Sequence, residues 1–175
     1  PDHGVIRGRE FVHRSLRFRF VAPQGYRLSN FPNEVVAKGP NNTLVVFDMS
    51  PESFSGPPTS YLTDVWPKSR QLKDLQNVTI GQSPGAYAQI DVSTQQGPIN
   101  LRFLAIRADS RRFFRFLFAA PTRFASANFN AVQQIGQSFR RLGAEEARAI
   151  QPRRVAIHKV APGETVHDLE RRMAF

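Results

Sequence analysis

The sequence predicts an α+β domain in which an antiparallel sheet of about six or seven strands packs against one long C-terminal helix. Three observations predict this class. Segments in which apolar and polar residues alternate recur between residues 16 and 120, which is typical of half-buried strands. Turn-forming glycine, proline and asparagine residues separate these segments. After residue 121, apolar residues recur at three- and four-residue steps, the spacing of an amphipathic helix.

Length and composition indicate one domain with a short appendage. The 175 residues include 41% hydrophobic residues and 15 phenylalanines, enough for a single packed core. No apolar run reaches the roughly 18 to 20 residues that span a bilayer, so we expect a soluble segment. Cysteine is absent, which excludes disulfides and cysteine-ligated zinc and allows an exported compartment. Because the sequence begins at Pro1 without a signal peptide, we expect a piece of a longer protein.

The first part of the chain predicts a strand, a corner and a hairpin. Residues 16–22 alternate apolar and cationic side chains, and those expected to face inward are Leu16, Phe18 and Phe20. The corner is expected at 23–25, where proline and glycine are turn residues. Segments 35–38 and 43–47 flank a Gly-Pro-Asn-Asn turn, which predicts the hairpin.

The remainder predicts a short helix, a meander and the long helix. Residues 51–58 are expected to be loop, and Thr59 or Ser60 is expected to cap a helix that runs to about residue 75. Three strands are predicted at 86–92, 99–108 and 113–120. The long helix should stop at Gly143. Its apolar face is predicted to contain Phe124, Asn128, Val132, Ile135 and Phe139.

Two segments of this framework have a distinctive sequence. Residues 20–26, FVAPQGY, lead from a strand into a proline-glycine-aromatic corner, and residues 138–142, SFRRL, end the last helix. Together they resemble PsbP-like domains. The similarity covers roughly residues 10–142. It implies an antiparallel sheet flanked by helices, in a fold that serves binding or assembly without catalysis.

The tail contains residues 155–166, VAIHKVAPGETV, which predict a strand followed by a turn and the start of a helix. This segment resembles the opening of a LysM module, a family that binds N-acetylglucosamine polymers such as peptidoglycan. The LysM-like turn consists of Pro162, Gly163 and Thr165. Residues 154–175 hold only the first half of such a module.

The order of these two resemblances is similar to the C-terminal region of bacterial exported zinc metalloproteases of the HExxH class. It implies a PsbP-like domain at 1–142, a linker at 143–153 and a partial LysM-like tail at 154–175. It further implies a periplasmic or otherwise exported accessory domain, which positions the protease or recognises a protein or peptidoglycan partner. The zinc-containing catalytic domain of the same chain would then lie upstream.

No catalytic residue, metal ligand or cofactor is predicted within this sequence. It has no HExxH motif and no glycine-rich phosphate loop. The four histidines are His3, His13, His158 and His167, and no two of them have the i, i+4 spacing of zinc ligands on a helix. His158 and His167 could belong to a metal cluster, but positions in a strand and at the start of a helix are the simpler roles for them. Ser138 lacks the strand-turn-helix elbow of a nucleophile.

A net charge of +10 is the main competing functional clue. It favours anionic partners and predicts, as the alternative, a stand-alone basic module that binds a cell-wall polymer, lipid or nucleic acid. The candidate binding surface consists of Arg111, Arg112, Arg115, Arg140 and Arg141. Interleaved arginine and phenylalanine at 111–116 occurs on single-stranded nucleic-acid platforms, yet it equally fits a strand with buried rings, so nucleic acid is the less expected partner. Arginines near residue 140 also complement the negative end of a helix.

Overall fold

A computed structural model describes residues 3–150, which contain eleven strands and three helices. In chain order the elements are β1 (Val5–Arg7), β2 (Glu10–His13), β3 (Phe18–Val21), β4 (Arg27–Asn30), β5 (Val35–Lys38), β6 (Leu44–Met49), α1 (Pro58–Asp64), β7 (Lys73–Ile80), β8 (Ser83–Thr94), β9 (Gly97–Arg107), β10 (Phe113–Pro121), a 3-10 turn (Thr122–Phe124), α2 (Ala125–Ser138), β11 (Arg140–Arg141) and α3 (Ala144–Ala149).

The strands form two antiparallel sheets rather than one. The larger sheet has seven strands in the order β4-β5-β6-β10-β9-β8-β7. The smaller sheet has four strands in the order β1-β2-β3-β11. The predicted antiparallel α+β architecture is therefore confirmed, and the predicted strand at 16–22 belongs to the smaller sheet as β3.

Aromatic rings join the two sheets. Phe18 of the smaller sheet lies 4.7 Å from Phe114 and 5.1 Å from Phe47 of the larger sheet, measured between ring centroids. Phe20 lies 5.0 Å from Phe116 in an edge-to-face arrangement, which suits the quadrupoles of the two rings. All these side chains are buried. Phe18 and Phe20 face inward as predicted, whereas Leu16 precedes β3 and is only half-buried.

The opposite face of the larger sheet is also covered. Tyr61 and Leu62 of α1 pack there in a second cluster with Phe103 and Phe113. Because β10 is buried on both faces, its consecutive phenylalanines enter different clusters: Phe113 meets α1, and Phe114 meets the smaller sheet. This explains why the strand lacks the simple alternation of a one-sided sheet.

The predicted hairpin and meander are confirmed. β5 and β6 pair from Val35↔Phe47 to Lys38↔Leu44 around the Gly-Pro-Asn-Asn turn. The three later strands are β8, β9 and β10, which pair in sequence order. β8 is five residues longer than predicted, and β9 and β10 are each one residue longer. Asn128 is buried on the predicted apolar face of α2, because its amide donates to the Asn100 and Phe118 carbonyl oxygens at 3.2 Å each.

The prediction of a helix to about residue 75 is wrong, since α1 ends at Asp64. Pro67 follows, and proline both lacks a backbone donor and disfavours helix in the residue before it. Residues 73–75 instead begin β7. Thr59 and Ser60 do not cap the helix, because Pro58 occupies its first position and the N-cap is Pro57.

The end of α2 also differs from the prediction. The helix stops at Ser138 rather than Gly143, because residues 140–141 pair with the edge of β3 as β11. The Ser138 hydroxyl supports this exit by donating to the Ile135 carbonyl at 2.9 Å and accepting the Val21 N–H at 2.8 Å. Gly143 precedes α3, which occupies 144–149 within the predicted linker.

Among residues 3–150, no helix combines the length and the apolar character that crossing a bilayer demands.

Candidate functional site

A cleft opens where the smaller sheet and the larger sheet separate at one end. Its volume is about 490 Å³, within the range of ligand-binding pockets. Four segments of the chain surround it: the start of β1, the β2–β3 turn, the β4–β5 turn and the end of β6. Its lining comprises His3, Phe11, His13, Leu16, Asn30, Phe31, Pro32, Asn33, Glu34, Val35, Phe47, Asp48, Met49, Ser50 and Pro51.

The floor of the cleft is apolar. Phe11 and Phe47 form it, with ring centroids 6.2 Å apart and both side chains buried in the main core. Leu16 and Met49 pack against the same core and are only partly buried. An apolar side chain entering here would leave water at about 25 cal/mol per Å² of buried surface. The floor can therefore bind apolar groups.

Two histidines that are ten residues apart in sequence lie at this cleft. His13 stacks on Phe18 with centroids 5.7 Å apart, and its Nδ1 accepts the Leu16 N–H at 3.0 Å. In the neutral ring the proton is therefore on Nε2. His3 is positioned through its carbonyl oxygen, which accepts a 2.9 Å bond from the Asn30 side-chain amide. Both can supply polar contacts at the rim.

Behind the cleft, Arg115 orders the end of β6. Its guanidinium donates to both carboxylate oxygens of Asp48, from Nε at 2.8 Å and from Nη2 at 2.6 Å. It also donates to the Tyr61 hydroxyl at 3.2 Å and lies 4.8 Å from the centre of the Trp66 ring. Arg115 thus links β10, β6 and α1, and it holds the end of β6, which lines the cleft.

The Tyr61 hydroxyl bridges two charged groups. It accepts the bond from Arg115 and donates to the Glu52 carboxylate. Burial, and then the hydrogen bond to Glu52, raise the pKa of Tyr61 to about 12, against the opposing effect of Arg115. The phenol therefore stays protonated well above neutral pH.

All three tyrosines of the chain are expected to ionise above pH 10. Burial raises the pKa of Tyr26 and Tyr87 as well as Tyr61, and Tyr61 should ionise last, near pH 12. The folded state favours the neutral phenols, so this contribution to stability is present below pH 10 and is lost as the pH rises toward 12. Ultraviolet titration of phenolate absorbance measures this. Tyr61→Phe should remove the highest step, and a normal titration at pH 10 in the folded protein would contradict the network.

The structure divides the five predicted surface arginines. Arg111, Arg112 and Arg141 lie around the β9–β10 turn, and we call them the arginine corner. Arg112 pairs with Asp109 at 2.9 Å, and Arg141 donates to the Ala108 carbonyl at 2.9 Å. Burial lowers the pKa of Arg141, partly offset by Asp109. All three side chains belong to exposed residues.

The other two predicted arginines do not join this corner. Arg115 faces α1 with only 12% of its side chain exposed, because both faces of β10 are covered. Its prediction as surface is wrong. Arg140 pairs with Glu146 of α3 at 2.9 Å.

Several predicted residues lie outside the part of the chain that the structure describes. These are the LysM-like turn, Pro162, Gly163 and Thr165, and the two later histidines, His158 and His167. Within residues 3–150, no group of three or more histidine, aspartate or glutamate side chains is placed to hold a metal ion.

Comparison with known proteins gives structural similarities only. No family model and no curated protein matches the chain. A protein from Bacteroides thetaiotaomicron VPI-5482 superposes with a TM-score of 0.55 at 12% identity, over 81% of this chain and 51% of that one. LpqN, described as involved in cell envelope biogenesis of Mycobacterium tuberculosis, gives 0.53 at 14% identity, over 82% and 91%. The PsbP protein CyanoP from Synechocystis sp. PCC 6803 gives 0.54 at 11% identity, over 79% and 94%.

These similarities define the class of the domain. At such low identity they show the fold alone, and that fold is PsbP-like, as segments 20–26 and 138–142 predicted. The chain spans about half the length of the Bacteroides protein, 51%. The metalloprotease context and the LysM-like tail remain predictions from the sequence.

Proposed function

We propose that this chain is a non-catalytic binding domain and that the cleft is its ligand site. The observation that carries the proposal is the combination of a 490 Å³ opening, an apolar floor and a polar rim at one end of the two sheets. Ligand sites in proteins commonly have this composition. A rigid floor supports the same role, because Phe11 and Phe47 are fixed by the ring contacts that join the sheets.

Filling the cleft should weaken binding without unfolding the protein. Leu16 lines the opening and is half-buried, so Leu16→Trp would place an indole over the floor. In two-dimensional amide NMR spectra of the labelled chain, a set of amphipathic organic fragments should shift the amides of residues 11–16, 30–35 and 47–50. Leu16→Trp should lower the apparent affinity for the fragments, measured from these shifts, at least about tenfold. This loss is equivalent to about 1.4 kcal/mol.

The matched control is Gln133→Trp, which adds the same ring at an exposed position of α2 outside the cleft. It should bind fragments like the parent chain. If Leu16→Trp and Gln133→Trp bind equally well, or if fragments shift no amide of the cleft, the cleft is not the ligand site.

The finer proposal is an accessory domain of an exported zinc metalloprotease, which positions the catalytic domain or recognises a protein or cell-wall partner. The order of the PsbP-like and LysM-like segments supports it. The involvement of LpqN in cell envelope biogenesis is consistent with an exported location. If the purified chain hydrolysed casein in a zinc-dependent manner, the non-catalytic proposal would be contradicted.

The arginine corner supports a second candidate, a module for anionic ligands. Three exposed arginines converge on one turn of a chain with a net charge of +10. Counterion release makes such binding strongest at low salt, so retention of anionic vesicles or RNA at about 50 mM salt tests it. Arg111→Ser together with Arg112→Ser should weaken retention. No retention by the parent chain would remove this candidate.

A further inference from the structure

The two carboxylates in the lining of the cleft already have partners within the protein. Asp48 accepts two hydrogen bonds from Arg115, which also binds Tyr61 of α1, so this pair lies on the α1 side of β6. Glu34 likewise has a partner. The carboxylates of the lining therefore offer little charge to a ligand.

Two arginines beside the cleft have no such partner. In the β2–β3 turn, Arg14 follows His13 and Arg17 follows Leu16, and both His13 and Leu16 line the cleft. Arg14 is half-buried and Arg17 is exposed. Within residues 3–150, neither guanidinium forms a hydrogen bond or an ion pair. These two side chains place an uncompensated positive charge beside the opening.

The turn that carries these arginines is fixed by contacts on both sides. The His13 ring stacks on Phe18, and its Nδ1 accepts the Leu16 N–H at 3.0 Å. The Arg17 carbonyl accepts the Leu142 N–H at 2.7 Å. Because the backbone is held in this way, the arginine side chains begin at fixed points, and their flexible methylene stems can carry the charge over the opening.

The arginine corner adds to the positive charge on this side. Arg141 lies opposite Phe18 in the pairing of β11 with β3. Its guanidinium lies 5.0 Å from the centre of the Phe114 ring, and the Phe114 ring lies 6.3 Å from the Phe47 ring on the cleft floor. Within the described residues, only Arg112 of this corner forms an ion pair with a carboxylate. The summed field therefore favours an anion beside the apolar floor.

We infer that the ligand is a single-chain amphipathic anion, such as an alkyl carboxylate or an alkyl phosphate. Its apolar chain lies on the floor formed by Phe11 and Phe47, where it leaves water. Its head group accepts charge-assisted hydrogen bonds from Arg14 and Arg17, since guanidinium groups match carboxylate and phosphate oxygens. This inference rests on the cleft being the ligand site, and it names the ligand class.

Four probes separate the contribution of the chain from that of the head group. They are n-octyl phosphate, n-octanol, n-octylammonium and ethyl phosphate, each titrated into the labelled 175-residue chain below its micelle concentration. The amides of residues 11–16, 30–35 and 47–50 report binding in the cleft. Octyl phosphate should bind best. Each other probe should bind at least about tenfold more weakly, because it lacks either the negative charge or the apolar chain.

Substitution of the two arginines tests the head-group site independently. Arg14→Gln together with Arg17→Gln should lower the affinity for octyl phosphate at least about tenfold, because charge-assisted hydrogen bonds are lost. The affinity for octanol should stay unchanged, which shows that the floor is intact. The matched control is Arg70→Gln together with Arg148→Gln, which removes two charges at exposed positions outside the cleft lining. It should bind octyl phosphate like the parent chain.

Three results would overturn the inference. One is equal affinity of the Arg14/Arg17 variant and its control for octyl phosphate. Another is octylammonium binding as strongly as octyl phosphate. The third is retention on phosphatidylglycerol vesicles without binding of monomeric octyl phosphate, which would favour a membrane surface as the partner. If fragments shift the cleft amides and octyl phosphate binds no better than octanol, the ligand class fails while the binding site stands. If neither fragments nor alkyl probes shift these amides, both fail.

Discussion

Replacing Phe18 with alanine is expected to lower the free energy of unfolding by about 3 to 5 kcal/mol, the usual loss for a phenylalanine removed from a core. Phe18 is fully buried in the smaller sheet and contacts Phe47 and Phe114 of the larger one. It also stacks on His13 at the cleft. The substitution should therefore weaken the contact between the sheets and disturb the cleft floor. Urea unfolding monitored by circular dichroism measures the loss.

The matched control is Phe129→Ala. Phe129 is 38% exposed on α2, and its ring lies over the buried Arg102 and Tyr87 side chains. Its replacement should cost about 1 to 2 kcal/mol, less than the loss of a fully buried ring. Comparable losses for Phe18→Ala and Phe129→Ala would mean that the aromatic cluster does not hold the two sheets together.

Arg115→Ala is expected to lower the free energy of unfolding by about 2 to 3 kcal/mol. Removing one partner of a buried ion pair leaves the other charge without compensation, which costs about 3 to 5 kcal/mol when both are fully buried. Here 12% of the Arg115 side chain and 30% of the Asp48 side chain are exposed, so water screens part of the loss. Asp48 would also lose the contacts that hold it at the cleft. Calorimetric unfolding and urea titration measure the change.

Arg112→Ala provides the comparison for an exposed pair. Arg112 and Asp109 are bonded at 2.9 Å with 49% and 45% of their side chains exposed. Such pairs contribute about 0 to 1 kcal/mol. An equal effect of Arg112→Ala and Arg115→Ala would contradict the position of Arg115 beneath α1.

The long strands and α2 could be predicted because their patterns are local. β8, β9 and β10 are 12, 11 and 9 residues long, so each contains enough positions for an extended segment between turns to be evident. The face of α2 includes the polar residue Asn128, yet the three- and four-residue spacing still identified it as buried. The turn residues at 39–42 defined the hairpin.

The smaller sheet was not predicted as a separate unit because its strands are short and its pairings are distant. β1 and β11 have three and two residues, too few for any periodicity. β11 exists because the edge of β3, about 120 residues earlier in the chain, pairs with Arg140 and Arg141. The sequence around residue 140 instead suggests the end of a helix, and only the tertiary pairing changes that outcome.

The cleft could not be predicted for a related reason. Its lining comes from four separated segments, none of which contains a recognised motif. His3 and His13 carry no metal-ligand spacing, and only the pairing of β1 with β2 brings their segments together. Arg115 was misplaced because the sequence does not reveal that α1 covers the second face of β10. The proline at position 32 marks a turn but not the opening beside it.

The central claim, that the cleft is the ligand site, is tested most directly by crystals of the chain soaked in small amphipathic organic molecules. We predict that bound molecules collect over Leu16 and Phe47 and contact the rim at His13 or Asn33. Molecules found only at the arginine corner, or at no common position, would contradict the claim and favour a function based on the basic surface.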